Sequence, residues 1–165
     1  MPPKRPPAFD RIDMSVLAAL QRDGRSTIQK LADAVGLSAR ACLERVRRLE
    51  TAGIISGYRA EIELDQLSRP VTVFAEIVME KHANHLHFER RIAAVEEIVE
   101  SWEISGAVDY LARCVCADLT AYVDLTKRLV DDPQLGIARI VSHVVLRPAR
   151  RFAGYPEALL SRRTD

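Results

Sequence analysis

The chain holds only three cysteines, Cys42, Cys114 and Cys116, an odd number with no Cys-x-x-Cys spacing. That argues against both a disulfide framework and a structural zinc site, so the thiols are read as reduced and packed. Glycine and proline are scarce too, with 7 and 8 of 165 residues, which leaves no room for a collagen-like or low-complexity chain. No apolar run approaches the roughly 20 residues that cross a bilayer, and Met1 to Pro7 lacks the apolar stretch of a secretion signal. A cytoplasmic protein away from membranes is expected, with residues 1–7 as a flexible arm. No nucleophile with a matching base and no metal triad can be picked out, so neither catalysis nor a cofactor is assigned.

What is present is divided unevenly. The net charge is +1, yet residues 1–60 carry 11 Lys and Arg against 6 Asp and Glu, while residues 61–165 carry 13 against 17. Opposite signs in the two halves suggest two jobs.

Three helical patterns open the chain. Asp10 caps the first, with Asp13 at its third position and Ile12, Val16, Ala19 and Leu20 as the apolar stripe up to Gly24. Ser26 or Thr27 caps a shorter second pattern that stops at Gly36, where a left-handed residue is expected. Ser38 caps the third, which runs to about Ala52. The tight turn between the second and third has helix-turn-helix spacing. Ile54 to Leu64 suits a short bent strand or wing.

After a linker at residues 61–70 the pattern becomes strand, helix, strand, strand, helix, strand. The strands are expected from Val71, over Ile98–Ser105, over Tyr110–Ala117 and over Ile137–Arg147. One helix starts at Asn84, with Leu86, Ile92 and Val95 inward, and one is capped by Asp118. That order is the ferredoxin-like split βαβ, an antiparallel sheet with helices on one face. The fold class is therefore α+β, a winged helix-turn-helix at residues 8–60 joined to a ferredoxin-like βαββαβ unit at 71–147. Residues 148–165 form a basic tail that either packs on a neighbouring subunit or hangs loose. Apolar residues on both faces of the last strand call for a second subunit as cover.

On the third helix Ala39, Cys42, Leu43, Val46 and Leu49 share one face, Arg40, Glu44 and Arg48 lie opposite, and Arg45 and Arg47 flank. An outward Arg can fork onto guanine edges in the major groove, while flanking ones neutralise phosphates. The plainer alternative is a solvated face with a Glu44–Arg48 ion pair. His82, His85 and His87 invite a metal reading, but they straddle the start of a helix with no cysteine near, and a solvated helix start accounts for them better. Cys114 and Cys116 share a strand face at a spacing too wide for easy disulfide geometry.

The stretch SxxxCLERVRRLExxGxIxGY, present as Ser38 to Tyr58, resembles the recognition helix and wing of the Lrp/AsnC family, and FDRIDMSVLAALQRDGR resembles that family's first helix. Ser105 to Leu111 resembles its GxxDY effector loop. The resemblance spans residues 9–147. It implies a transcription factor that binds double-stranded DNA as dimers, often assembled into octamers, and responds to an amino acid held between sensing domains. The residues expected to meet DNA are Ser38, Arg40, Ala41, Glu44, Arg45, Arg47 and Arg48. Those expected at the effector are Trp102, Gly106, Ala107, Val108, Asp109 and Ser142.

An Asp suits an ammonium group, and a Gly lets backbone N–H groups approach a carboxylate. Read alone, Gly-x-x-Asp is equally an ordinary hairpin turn. Ala107 departs from the polar or acidic residue common in the family. Ser142 is either a hydroxyl for the effector or a small residue at an interface, and Trp102 either packs or walls the pocket. Two other functions stay open at this point. One is an architectural DNA-compacting protein without effector response. The other is an amino-acid-binding regulatory module that no longer binds promoters.

Overall fold

The computed structural model describes residues 9–160; the expected arm at residues 1–7 lies outside them, as do Arg162 and Arg163 of the tail. Three helices open the chain, α1 (Arg11–Arg22), α2 (Ile28–Val35) and α3 (Ala39–Thr51). Asp10 and Asp13 close a reciprocal capping box at α1, in which each side chain accepts the other residue's backbone N–H. Thr27 caps α2 and Ser38 caps α3. Gly36 ends α2 at φ 69°, the left-handed conformation expected there. Val16, Leu31, Ala32, Cys42, Val46 and Leu49 form a small core between the three helices, with Ile55 and Leu20 packed against it.

Ile54 to Glu63 runs without a strand, which corrects the expected bent strand. Among the described residues no second segment lies beside it to complete a ladder, and an isolated strand leaves its backbone groups to water. Ile54, Tyr58 and Ile62 are exposed, and Tyr58 donates its hydroxyl to Glu50 Oε1 at 3.0 Å. A 3-10 turn follows at Leu64–Gln66.

The second unit carries β1 (Val71–Met79), α4 (His85–Ile92), β2 (Ile98–Glu103), β3 (Tyr110–Cys116), α5 (Leu119–Val130) and β4 (Ile137–Val144). The sheet order is β2-β3-β1-β4 and every pairing is antiparallel, the split βαβ expected. Val73, Ala75, Ile77 and Met79 of β1 alternate toward the helices, beside Tyr110, Ala112, Cys114 and Cys116 of β3. Phe88 and Ile92 from α4 and Tyr122, Leu125 and Leu129 from α5 close that core. Each large side chain removed from water there contributes about 1.5–3 kcal/mol.

Leu86, expected inward, is 57% exposed. Once Asn84 caps α4, the inward pair one turn apart is Phe88 and Ile92, which turns Leu86 to solvent. All three cysteines are free and buried, and burial pushes the Cys114 thiol up to about 11. The other sheet face bears Phe74, Glu76, Val78, Leu111, Arg113, Val115 and Val141, and among the described residues of this unit both helices pack on the opposite face.

Residues 150–160 belong with the N-terminal unit rather than with the sheet. There the backbone N–H of Tyr155 donates to Gln21 Oε1 at 2.6 Å, and Gln21 Nε2 donates back to the Tyr155 carbonyl at 3.4 Å. A short helix α6 (Glu157–Leu160) follows against α1. The tail therefore lies on α1 of its own chain.

Candidate DNA-reading helix and effector loop

On α3 the four arginines do not behave alike. Arg40 leaves 90% of its side chain exposed, with its Nε 3.3 Å from Glu44 Oε1 one turn on. Arg47 is exposed as well. Arg45 and Arg48 instead turn back toward α1. Arg45 Nη1 donates to Asp10 Oδ2 at 2.7 Å and to Asp13 Oδ1 at 2.8 Å, while Arg48 Nη2 donates to Asp13 Oδ2. Arg48 also lies with its guanidinium 5.9 Å from the Phe9 ring centroid. Arg48 is exposed as expected, but its guanidinium pairs across to Asp13, and the alternative Glu44–Arg48 pair gives way to Arg40–Glu44. The reason is Asp13, whose carboxylate is fully buried and must be matched by charge inside the fold.

Reading the sequence placed Asp13 in the first turn of α1 but missed its second role, a buried carboxylate that holds Arg45 and Arg48. Its signal was present, since Asp13 lies three residues before Val16 and seven before Leu20 on the apolar stripe of α1. Asp10, half-exposed, is held below the ordinary carboxylate value first by the Asp13 backbone N–H and then by Arg45. The same contact raises Arg45. Ser38 spends its hydroxyl on the Ala41 N–H, and Ala41 sits on the first turn, half-buried. What α3 offers to solvent is thus Arg40, Glu44 and Arg47, with Arg48 half-exposed and Arg45 more covered at the edge toward α1.

The effector-loop residues sit between β2 and β3. Ser105, Gly106 and Ala107 are exposed, and Val108 and Asp109 are half-buried. Gly106 takes φ 127°, and a Cβ there would meet nothing within 4 Å, so its glycine answers a backbone requirement and leaves space above the loop. Asp109 Oδ2 accepts the Met79 N–H at 2.7 Å, where β1 shifts register against β4. Its own N–H donates to the Ile77 carbonyl and its carbonyl accepts from Ile104. One carboxylate oxygen is thereby committed to the scaffold.

Ser142 and Trp102 are not brought together within one chain. Ser142 pairs with Ala75 on the helix-covered face, its Oγ 2.6 Å from the Tyr122 hydroxyl. Trp102 pairs with Leu111 on the open face, at the other edge of the sheet, and is 44% exposed.

Tyr110, next to Asp109, donates its hydroxyl to Glu89 Oε1 at 3.0 Å, and His85 Nδ1 lies 3.0 Å from that hydroxyl oxygen. His85 is thus occupied, His82 is exposed, and among the described residues no group of His, Cys, Asp and Glu could hold a metal ion. An open depression lined by Ala94, Val95, Glu96, Glu97, Val115 and Arg128 lies at the far end of β3 from the loop.

Comparison with known proteins agrees with this arrangement. Residues 9–56 match the family described as winged helix-turn-helix DNA-binding, and residues 72–153 match the Lrp/AsnC ligand binding domain. The transcriptional regulatory protein DoeX of Halomonas elongata is 36% identical over 148 residues, covering 87% of this chain and 91% of that protein. The leucine-responsive regulatory protein of Rhizobium meliloti is 42% identical over 119 residues, 70% of this chain and 76% of its own. A transcriptional regulator of Neisseria meningitidis, solved as its complex with L-Met, superposes with a TM-score of 0.86 at 25% identity, covering 93% of this chain and 99% of that one. With a helix-turn-helix unit and a ligand-binding unit both matched in order, the chain belongs to the Lrp/AsnC family of transcriptional regulators.

Proposed function

We propose that this regulator reads double-stranded DNA with the exposed arginines of α3 and adjusts its DNA binding or assembly to a small amino-acid-like effector. The observation that carries the first half is the sorting of arginines on α3, with Arg40 and Arg47 left to solvent while Arg45 and Arg48 hold the helix against α1. Arg40 is suited to a bidentate base contact and Arg47 to phosphate. The relative solved with L-Met supports an amino acid as effector. Asp109 Oδ1 and the backbone around Gly106 supply complementary groups for an ammonium and a carboxylate.

The working unit in this reading is a homodimer, built on the open sheet face, with an octamer as the larger assembly. Phe74, Val78, Leu111, Val115 and Val141 supply the apolar centre, and the Glu76–His143 and Glu100–Arg113 contacts the polar part. Because Trp102 and Ser142 lie on opposite faces, an effector pocket using both needs residues from more than one chain. Action in the cytoplasm follows from a DNA target, and no described helix is long and apolar enough to cross a membrane.

The test is a selection of duplexes from a random pool by the full chain, followed by titration of the selected complex with each standard amino acid. A preferred sequence, and one or more amino acids that shift its affinity and raise the thermal midpoint, is the expected result. Binding indifferent to sequence and to every amino acid would overturn the reading.

A further inference from the structure

Asp10 does two things at once, and only one of them is structural. Its Oδ1 caps α1 by accepting the N–H groups of Ile12 and Asp13, both at 2.9 Å. Its Oδ2 lies 2.7 Å from Arg45 Nη1, a nitrogen that Asp13 Oδ1 already satisfies at 2.8 Å. Of the two α3 arginines that reach α1, Arg45 is the one that both carboxylates hold, with 23% of its side chain exposed, and Asp10 covers it from outside with 51% exposed. A carboxylate oxygen set on a guanidinium in this way presents the charge and distance that a backbone phosphate oxygen would present.

We propose that Asp10 is a specificity-determining residue for DNA binding. Its carboxylate occupies Arg45 in place of a phosphate, so that Arg45 adds nothing to the affinity for arbitrary DNA. Asp13 is the positioning residue beneath it and stays with Arg45 and Arg48 throughout. The inference rests on α3 being the DNA-reading helix.

Physical reasoning gives the sign. Sequence-independent binding is set by the number of phosphates neutralised, each released counterion adding about 0.9 to the slope of log K against log salt. A regulator gains discrimination by withholding a cation that would bind every sequence equally. The exposed acid at Asp10 withholds one.

Asp10→Asn separates the two roles, because asparagine caps a helix as well as aspartate and has no charge to hold Arg45. Binding of a random-sequence duplex and of a duplex selected by the parent chain is measured across a salt series, for the full chain and its variants. The expected result is a several-fold gain on random DNA, a salt slope steeper by about 0.9, and a smaller ratio of selected to random affinity. Arg45→Gln in the Asp10→Asn background should return random binding to the parent level.

A gain that survives Arg45→Gln, or a random-DNA slope unchanged in Asp10→Asn, overturns the proposal. Asp10→Ser, a second capping residue, repeats the test if the asparagine variant unfolds. Arg40→Ala and Arg47→Ala are run alongside. If both bind as the parent does, the reading of α3 has failed; if they weaken binding while Asp10→Asn is silent, only the role of Asp10 has.

Discussion

Asp109 and Met79 are thirty residues apart in sequence, and the carboxylate of the first accepts the backbone N–H of the second at 2.7 Å, at the register shift of β1. Met79 is buried, so its N–H has no ready substitute in water. Asp109→Ala should destabilise the sheet unit by about 1–3 kcal/mol, the cost of a buried donor left unmade. Asp109→Asn keeps an acceptor oxygen and should unfold near the parent in urea. If Asp109 also meets an ammonium group, the same asparagine variant should lose about 1.5–3 kcal/mol of effector affinity, roughly ten- to a hundredfold. Titration calorimetry beside the urea curves distinguishes the two roles.

Around Asp13 the two directions of removal should differ. Arg45→Met with Arg48→Met strands a fully buried carboxylate, and the expected loss is about 3–5 kcal/mol. Asp13→Ala leaves arginines that reach water, one of them still on Asp10, so about 1–3 kcal/mol is expected, including the lost capping bond. Chemical denaturation of both variants checks the order; equal losses would mean that Asp13 is hydrated in solution.

Arg40→Ala should cost about 1–3 kcal/mol on the selected duplex and little on random DNA, as a base contact does. Arg47→Ala should weaken both alike and reduce the salt slope by about one. Equal losses on both duplexes for both variants would put Arg40 on the phosphates.

Val141 stands on the open sheet face opposite Glu76. Val141→Asp adds a second negative charge there without touching the helix-side core, so the chain should stay folded and lose self-association. Light scattering of the full chain at micromolar concentration reads it, with unchanged mass as the contrary outcome.

Asp10 sits below its unfolded value. A carboxyl depressed on folding stabilises above the unfolded value, near 3.9, and the contribution is lost as pH falls through that value toward the folded one. Melting of the parent should therefore fall below about pH 4 more steeply than melting of Asp10→Asn. Parallel curves would remove Asp10 from the acid response.

The caps at Asp10, Ser38 and Asp118 were legible, and Thr27 as one of two candidates, because each is a short-range hydrogen bond that residue type declares. The alternation of β1 and β3 was legible for the same local reason. Most of what was not legible depends on distant partners. Arg48 turns its guanidinium toward α1 because Asp13, thirty-five residues earlier, is buried, and Ile54 to Glu63 has apolar spacing but among the described residues no neighbour to pair with; Leu86 was misplaced for a local reason, the phase that the Asn84 cap sets for α4. For the effector loop, motif resemblance supplied Gly106 and Asp109, but no pattern in the sequence disclosed that Asp109 also braces Met79.

Gln21 binds the tail with both ends of its amide, as one strand binds another, and Tyr155 is the residue it holds. In chain order the sheet unit, residues 62–149, is therefore an insertion within the helical unit. Cutting the chain within residues 62–70 would therefore leave the C-terminal piece still held on α1 of the N-terminal piece through Gln21 and Tyr155.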